Sequence, residues 1–155
     1  MTVLIIGGGN MGSTFAESFL SAHIIRPNQL LILEVNEARV AYLKEKDRGI
    51  IKTEVGDYIS EVDLIVLAVK PQTINQIYPN IRPFLKPHQL VLSIMAGVRL
   101  QSLEDGLGIK KIIRAMPNLP AQVGMGMTAF TAQDDVNKHE LIAVQNLLST
   151  TGRAI

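Results

Sequence analysis

A glycine-rich turn directly after a short apolar run is the feature that most limits what this chain can fold into. Val3–Ile6 has the composition of a buried strand. The glycines after it have the spacing G-x-G-x-x-G and are Gly7, Gly9 and Gly12. In a dinucleotide-binding turn, the first glycine allows a tight bend, the second has no side chain to keep a pyrophosphate away, and the third lets a helix pack close to the sheet. These residues predict the start of a dinucleotide-binding βαβ unit.

The residues after the turn fit the rest of such a unit. A helix predicted from about Asn10 to Ala22 is amphipathic, and its free N–H groups and positive dipole end would point at the phosphates. A second apolar run, Leu30–Leu33, ends in Glu34, at about the distance where an acidic residue holds the ribose hydroxyls. The alternative is a strand, turn and helix without a nucleotide, since glycine-rich turns serve many purposes.

Composition excludes several classes of protein. With 47% hydrophobic and 19% charged residues, the chain is long and apolar enough for one folded domain over residues 1–155. A net charge of +1, without a block of lysine or arginine, argues against a nucleic-acid or anionic membrane surface. The chain has no cysteine and its three histidines are scattered, so we expect no metal site. We find no signal peptide or membrane-spanning run, which predicts a soluble, cytoplasmic protein.

Apolar runs alternate with helical patterns along the rest of the chain. The predicted strands are Ile50–Ile51, Asp63–Val69, Gln89–Ile94, Lys111–Ala115, Met127–Thr131 and the residues from Gly152 onwards. The predicted helices are Asn36–Lys46, the stretch from Pro71 towards Phe84, Leu100–Asp105 and Asp134–Leu148. This order predicts an α/β fold, a doubly wound parallel sheet of the Rossmann type, with its ligand crevice at the carboxyl ends of the strands. The glycine turn, Glu34, Ala68–Pro71 and Met95–Gly97 follow strands, so we expect them to line one cleft.

Several short motifs occur in the order typical of one enzyme family. They are Gly7–Gly12, Ala68–Pro71, Ser93–Gly97, Arg114–Ala121 and Val123–Thr128, and together they extend over the whole chain. In these motifs the sequence resembles the pyrroline-5-carboxylate reductases, which complete proline biosynthesis by reducing a cyclic imine with a nicotinamide cofactor. The first motif is common to dinucleotide-binding proteins, whereas the proline-asparagine loop with its trailing glycines is specific to the family.

The resemblance implies roles for particular positions. The turn would hold the pyrophosphate, the segments after the later strands would flank the ribose and nicotinamide, and the proline-rich loop would form a wall of the reaction site. The implied cofactor-binding residues are Gly7, Gly9, Asn10, Met11, Gly12, Glu34, Val35, Ala68, Val69, Lys70, Pro71, Met95, Ala96 and Gly97. The implied residues of the substrate-proximal loop are Met116, Pro117, Asn118 and Pro120. No catalytic residue is identified.

Three departures from the family pattern affect these expectations. Leu119 stands where the family usually has threonine, which removes a hydroxyl beside the cleft. Glu34 would repel the extra phosphate of NADP, so of the two possible cofactors, NADH and NADPH, we expect a preference for NADH, unless Arg39 swings towards the adenosine end. The family's helical C-terminal domain, which forms the dimer and much of the imine pocket, would begin where this sequence stops, at Ile155.

The leading hypothesis is the cofactor domain of an oxidoreductase that transfers hydride from NADH or NADPH to the C=N bond of 1-pyrroline-5-carboxylate, as a homo-oligomer when the second domain is present. Without that domain we expect little or no turnover, because holding the imine against the nicotinamide supplies much of the rate. The alternatives are a related imine or β-hydroxy acid dehydrogenase and a non-catalytic nucleotide-binding module.

Two cations near the predicted cleft have more than one interpretation. Lys70 would lie near the nicotinamide ribose or donate to the substrate, or else face solvent as an ordinary lysine at a strand end. Arg114 could attract a carboxylate, but we interpret it as a structural residue that pairs with an acidic side chain.

Overall fold

The chain folds around one central β-sheet. A computed structural model describes residues 1–118 and 126–154. Its strands are β1 (Val3–Ile6), β2 (Leu30–Leu33), β3 (Ile50–Lys52), β4 (Leu64–Leu67), β5 (Leu90–Ser93), β6 (Ile112–Asn118), β7 (Gly126–Ala132) and β8 (Gly152–Ala154). Its α-helices are α1 (Asn10–Ser21), α2 (Glu37–Glu45), α3 (Ile74–Ile81), α4 (Leu100–Leu107) and α5 (Lys138–Leu148).

The first strand lies in the interior of the sheet. The strand order is β3-β2-β1-β4-β5-β6-β7-β8, so the chain adds two strands on one side of β1 and then crosses to the other side. Every neighbouring pair is parallel except β6 and β7. The predicted doubly wound α/β sheet is therefore confirmed, with one antiparallel pair towards its far edge. The crossing at β1 leaves a crevice at the carboxyl end of that strand.

Helices cover both faces of the sheet. β1, β2, β4 and β5 are buried along their whole length, which is typical of strands between two helical layers. α1, α2 and α5 pack on one face through residues that include Phe15, Leu43 and Val144. α3 and α4 pack on the other face, through residues that include Ile74 and Leu103. The strand ends at the crevice are thus fixed by helices on both sides.

β6 is longer than the sequence predicts. We expected a strand over Lys111–Ala115 and then an irregular, proline-rich loop, but the strand continues to Asn118. β5 pairs with β6 only as far as Arg114, so among the described strands Pro117 pairs with β7 alone. A proline lacks the N–H group that a second neighbouring strand would need. The strand therefore tolerates Pro117.

The start of α5 also differs from the prediction. A helix from Asp134 was expected, but α5 begins at Lys138. Asn137 and Glu140 form a capping box, in which the Asn137 side chain accepts from the Glu140 N–H at 2.8 Å and the Glu140 carboxylate accepts from the Asn137 N–H at 3.0 Å. This reciprocal cap fixes the first turn. None of the described helices, α5 included, is long and apolar enough to cross a membrane.

Candidate functional site

Packing within the protein requires two of the three glycines in the turn. Gly7 has a φ of 105°, and its N–H donates to the Leu33 carbonyl oxygen at 2.9 Å. A Cβ on Gly7 would lie 2.8 Å from the Ala68 carbonyl oxygen, and a Cβ on Gly12 would collide with the Gly7 carbonyl oxygen. Any side chain at these positions would therefore push the turn away from β4 or from α1.

Gly9 differs from the other two glycines because it faces open space. Its chain neighbours aside, a Cβ there would meet no atom of residues 1–118 and 126–154 within 4 Å. Gly9 directly precedes α1, and its own lack of a side chain leaves the first turn of the helix without a side-chain cap. The N–H groups of that turn, which begins at Asn10, carry the positive end of the helix dipole. The arrangement can accept an anionic group beside Gly9.

A cleft of about 190 Å³ lies beyond the carboxyl ends of β1, β2 and β3 and is here named the β2 cleft. The predicted site residues that line it are Gly7, Glu34, Val35 and Val69. The lining residues that sequence analysis missed are Ile6, Leu33, Thr53, Glu54, Val55, Ile77, Asn80 and Ile81. Residues 53–55 directly follow β3, so the rule that ligands bind beyond strand ends could have identified them.

A second cleft, of about 340 Å³, lies beyond the ends of β4 and β5 and is here named the β5 cleft. Its lining residues are Gly9, Asn10, Met11, Ala68, Val69, Lys70, Pro71, Ile94, Met95 and Ala96. Sequence analysis predicts all of these except Ile94. Val69 lines both clefts, and the glycine turn contributes Gly7 to one and Gly9 to the other. The single cleft expected from the sequence is therefore a pair of adjoining clefts.

The Glu34 carboxylate is held by the backbone around it. One oxygen accepts from the Gly8 N–H at 2.9 Å. The other accepts from the N–H groups of Val35 at 2.9 Å and Asn36 at 3.0 Å. A carboxylate has about four acceptor positions, so three backbone donors leave room for one more donor such as a ribose hydroxyl. Glu34 thus has a role in the turn that the sequence did not indicate.

Arg39 is bound to the glycine turn rather than free to swing. Its guanidinium donates to the Gly8 carbonyl oxygen from Nε at 2.9 Å and from Nη2 at 2.8 Å. Nη2 also donates to Ser13 Oγ at 2.8 Å, and the group lies over the Tyr42 ring, 4.8 Å from its centroid. The alternative in which Arg39 swings towards the adenosine end is therefore not the arrangement in the structure.

Three other predicted positions, Gly12, Gly97 and Met116, are not among the residues that line the two clefts. Gly12 packs beneath the turn, and Gly97 has a φ of 74° in an exposed bend after β5. Met116 is 48% exposed on β6, to which Pro117 and Asn118 also belong. The predicted positions that lie outside the described residues are Leu119 and Pro120.

Lys70 and Arg114 differ in their exposure to solvent. Lys70 is exposed at the rim of the β5 cleft. The Nε of Arg114 is buried without a hydrogen-bond partner, and the described residues include no ion pair for it. The expected pairing of Arg114 with an acidic side chain is thus not found in the described part of the chain. That part also contains no group of three or more histidine, aspartate and glutamate residues that could hold a metal ion.

A tyrosine supports the outer wall of the β2 cleft. The Tyr58 hydroxyl donates to the Glu54 carbonyl oxygen at 2.6 Å, and the Lys52 ammonium lies 5.2 Å from the ring centroid. Burial raises the pKa of the Tyr58 phenol above its ordinary value of 10.0, and it does the same to the pKa of Tyr78 on α3. Tyr58 is therefore a neutral hydrogen-bond donor near neutral pH.

The family and the sequence relatives that resemble this chain are reductases and oxidoreductases. Residues 2–97 match the family described as NADP oxidoreductase, coenzyme F420-dependent. Over 97% of its length the chain is 32% identical to a pyrroline-5-carboxylate reductase of Synechocystis sp., and over 96% it is 35% identical to that of Escherichia coli K12. Each alignment covers 56% of the relative, so the chain spans about half the length of the curated relatives it matches.

Solved structures give the same match. A pyrroline-5-carboxylate reductase from Coxiella burnetii superposes with a TM-score of 0.91 and 27% identity, over 99% of this chain and 57% of that one. A pyrroline carboxylate reductase from Plasmodium falciparum, solved with NADP bound, superposes with a TM-score of 0.86 and 26% identity, over all of this chain and 56% of that one. The fold of this chain is therefore shared with the corresponding part of these enzymes.

Proposed function

Since the chain belongs to the family described as NADP oxidoreductase, coenzyme F420-dependent, and matches pyrroline-5-carboxylate reductases over nearly its whole length, we propose that it is the nicotinamide-nucleotide-binding part of such a reductase. The proposed reaction is hydride transfer from NADH or NADPH to the C=N bond of 1-pyrroline-5-carboxylate, in proline biosynthesis. The cofactor supplies the hydride, and the protein supplies its position.

One observation carries this proposal: two clefts share Val69, and the glycine turn lines both of them, with Gly7 in the β2 cleft and open space at Gly9 in the β5 cleft. A dinucleotide has two nucleoside halves joined by a pyrophosphate, and the arrangement matches those three parts. A Cβ at Gly9 would occupy the space that the pyrophosphate needs. The uncapped first turn of α1 supports an anion in that space.

The residues divide the proposed binding between them. The apolar β2 cleft takes the adenosine half, where the remaining acceptor position of Glu34 receives a ribose hydroxyl. The β5 cleft takes the nicotinamide half, where Ala68 and Ala96 are small enough for the ring to approach the backbone. Met116, exposed on β6, belongs to the wall on the substrate side.

We propose that the site prefers NADH to NADPH. The 2′-phosphate of NADPH would lie beside the Glu34 carboxylate, which is negatively charged. The backbone N–H groups of Gly8, Val35 and Asn36, which could otherwise bind a phosphate, already donate to Glu34. Arg39, a cation of α2, is bound to the turn. Repulsion without a compensating donor disfavours the phosphorylated cofactor.

Calorimetric titration of the chain with NADH and with NADPH tests both parts of the proposal. We expect NADH to bind more tightly, and Glu34→Ser to raise the affinity for NADPH relative to NADH by about tenfold, because a charge repulsion is removed. Glu37→Ser is the matched control, since Glu37 is an exposed glutamate in the first turn of α2. If neither NADH nor NADPH binds, the proposed function is contradicted. An unchanged ratio in Glu34→Ser would contradict only the preference.

Turnover, assembly and location are further parts of the proposal. We propose that residues 1–155 form one dinucleotide-binding domain that turns over poorly by itself, because the imine must be held against the nicotinamide face for hydride to move. We also propose a cytoplasmic location and a homo-oligomer for the longer reductase. The proposal of poor turnover is tested by measuring NADH oxidation in the presence of 1-pyrroline-5-carboxylate. The rate of this chain is compared with that of a pyrroline-5-carboxylate reductase of full length.

A further inference from the structure

Gly8 occupies the first variable position of the G-x-G-x-x-G motif, for which the motif requires no particular residue. Charged side chains bind both its backbone N–H and its carbonyl oxygen. Its N–H donates to Glu34, and its carbonyl oxygen accepts from Arg39 and Ser13. We propose that Arg39 is a positioning residue that holds the glycine turn in the conformation that receives the pyrophosphate. This inference rests on the proposed nucleotide-binding function and names a residue on which that binding depends.

The hydrogen bonds on Gly8 fix the orientation of its carbonyl group. Its oxygen accepts from Arg39 Nε at 2.9 Å, from Arg39 Nη2 at 2.8 Å and from Ser13 Oγ at 3.0 Å. Because Arg39 Nη2 also donates to Ser13 Oγ, the three groups form a closed set. A planar guanidinium with two N–H groups on one oxygen permits little rotation. The Gly8 carbonyl therefore has one favoured direction.

That carbonyl belongs to the peptide bond between Gly8 and Gly9. A peptide bond is planar, so the direction of the Gly8 carbonyl also sets the direction of the Gly9 N–H. Three successive glycines have unusual backbone freedom and would otherwise populate several conformations. Fixing the turn before the ligand arrives removes an ordering cost from binding. Arg39 thus contributes to affinity without contacting the nucleotide.

Arg39 is better placed for this role than for binding a phosphate of its own. To reach a 2′-phosphate it would have to release Gly8 and Ser13 and leave its position over the Tyr42 ring. The Gly8 carbonyl oxygen is part-buried and would lose its charged donor. Unsatisfied buried acceptors are costly, so the observed arrangement opposes that movement.

The test compares Arg39→Met and Arg39→Lys with the unaltered chain. The control is Arg26→Met, which removes the same charge from an exposed arginine before β2, at the opposite end of the sheet. Calorimetry measures the affinity for ADP-ribose, which contains the pyrophosphate, and NMR measures the weaker affinity for adenosine, which lacks it. Hydrogen exchange of the Gly8 and Ser13 amides, recorded without nucleotide, reports the order of the turn. Urea unfolding shows that every variant is folded.

We expect Arg39→Met to bind ADP-ribose about tenfold more weakly, as loss of a charge-assisted pair implies, and to leave adenosine binding unchanged. Its Gly8 and Ser13 amides should exchange faster, while the amides of β4 keep their rates. Arg39→Lys retains the charge but not the paired donors, so its affinity for ADP-ribose should also fall. The affinity of Arg26→Met for ADP-ribose should not change.

Unaltered affinity for ADP-ribose in Arg39→Met would overturn the proposal, and so would full affinity in Arg39→Lys, which would assign the effect to charge alone. Equal losses for ADP-ribose and adenosine would also overturn it, because they would indicate general damage to the fold. If the unaltered chain binds neither ADP-ribose nor NADH, the proposed function fails instead. The exchange rates then still show whether Arg39 orders the turn.

Discussion

The two clefts differ in how their polar groups are satisfied. Beside the β2 cleft, the Glu34 carboxylate and the Tyr58 hydroxyl bond to backbone groups of the chain. The guanidinium of Arg39, on α2, likewise bonds to the backbone of the adjoining turn. Beside the β5 cleft, Asn10 and Lys70 contribute only their carbonyl oxygens to hydrogen bonds among the described residues. One cleft is thus prearranged by internal contacts, and the other leaves its side-chain donors to solvent or a ligand.

Because of this difference, the polar groups at the two clefts should contribute differently to the stability of the fold and to the affinity for a ligand. A group that bonds to the chain contributes to the free energy of unfolding and, through the shape of the cleft, to affinity. A group that bonds to nothing in the chain contributes only when a ligand is present. Substitutions in the internally bonded turn and β2 cleft should therefore change stability. Substitutions of the unbonded side chains at the β5 cleft, Asn10 and Lys70, should change affinity alone.

The largest effect is expected at Gly12, where the turn packs against itself. In Gly12→Ala the new Cβ collides with the Gly7 carbonyl oxygen, and backbone atoms of the turn cannot move away as a flexible side chain could. We expect the free energy of unfolding, measured with urea, to fall by about 3 kcal/mol. Gly9→Ala is the control and should lie within about 0.5 kcal/mol of the unaltered chain. If the two variants are equally stable, Gly12 is not more tightly packed than Gly9, and the contrast between these two positions is wrong.

Gly9 provides the opposite case at the β5 cleft. A valine side chain there enters space that is open as far as the described part of the chain goes, and the extended backbone of Gly9 suits any residue. We expect Gly9→Val to weaken NADH binding by tenfold or more, on the order of 1.4 kcal/mol, because the side chain excludes the pyrophosphate. Its urea midpoint should remain close to that of the unaltered chain. Unchanged affinity for NADH would show that the pyrophosphate lies elsewhere.

The strands and the first turn could be predicted from sequence because their signals are local. β2 begins and ends where the apolar run Leu30–Leu33 does, and Gly7 follows β1 at the distance that the motif requires. Most residues that line the β5 cleft were predicted for the same reason, since they directly follow strands. Local pattern and tertiary position agree at these sites.

The contacts of Arg39 could not be predicted, because they depend on the packing of distant segments. Arg39 and Gly8 are 31 positions apart, and nothing in the sequence of α2 distinguishes this arginine from an exposed one. Likewise, the strand character of Pro117 depends on where β5 ends, which is a property of the sheet. Only the assembled fold provides such information.

The smallest effect is expected at Tyr58, on the internally bonded side. Tyr58→Phe removes the hydrogen bond to the Glu54 carbonyl oxygen, so the free energy of unfolding at pH 7 should fall by about 1 kcal/mol. The matched control is Tyr42→Phe, which keeps the ring beneath Arg39. A Tyr58→Phe variant as stable as the control would show that the outer wall of the β2 cleft does not depend on this bond.

The pH dependence of stability sharpens this last test. Burial raises the pKa of Tyr58 in the folded protein above 10.0, so the unfolded chain releases the phenol proton first as the pH rises. The unfolded state then binds fewer protons than the folded state, and the stability of the unaltered chain should decrease above about pH 10. Tyr58→Phe should lose less stability than the unaltered chain between about pH 9 and pH 11, measured by urea unfolding. If the unaltered chain and Tyr58→Phe lose the same stability, the Tyr58 hydroxyl is not buried by the wall of the β2 cleft. The contrast between the two clefts would then depend on Glu34 and Arg39 alone.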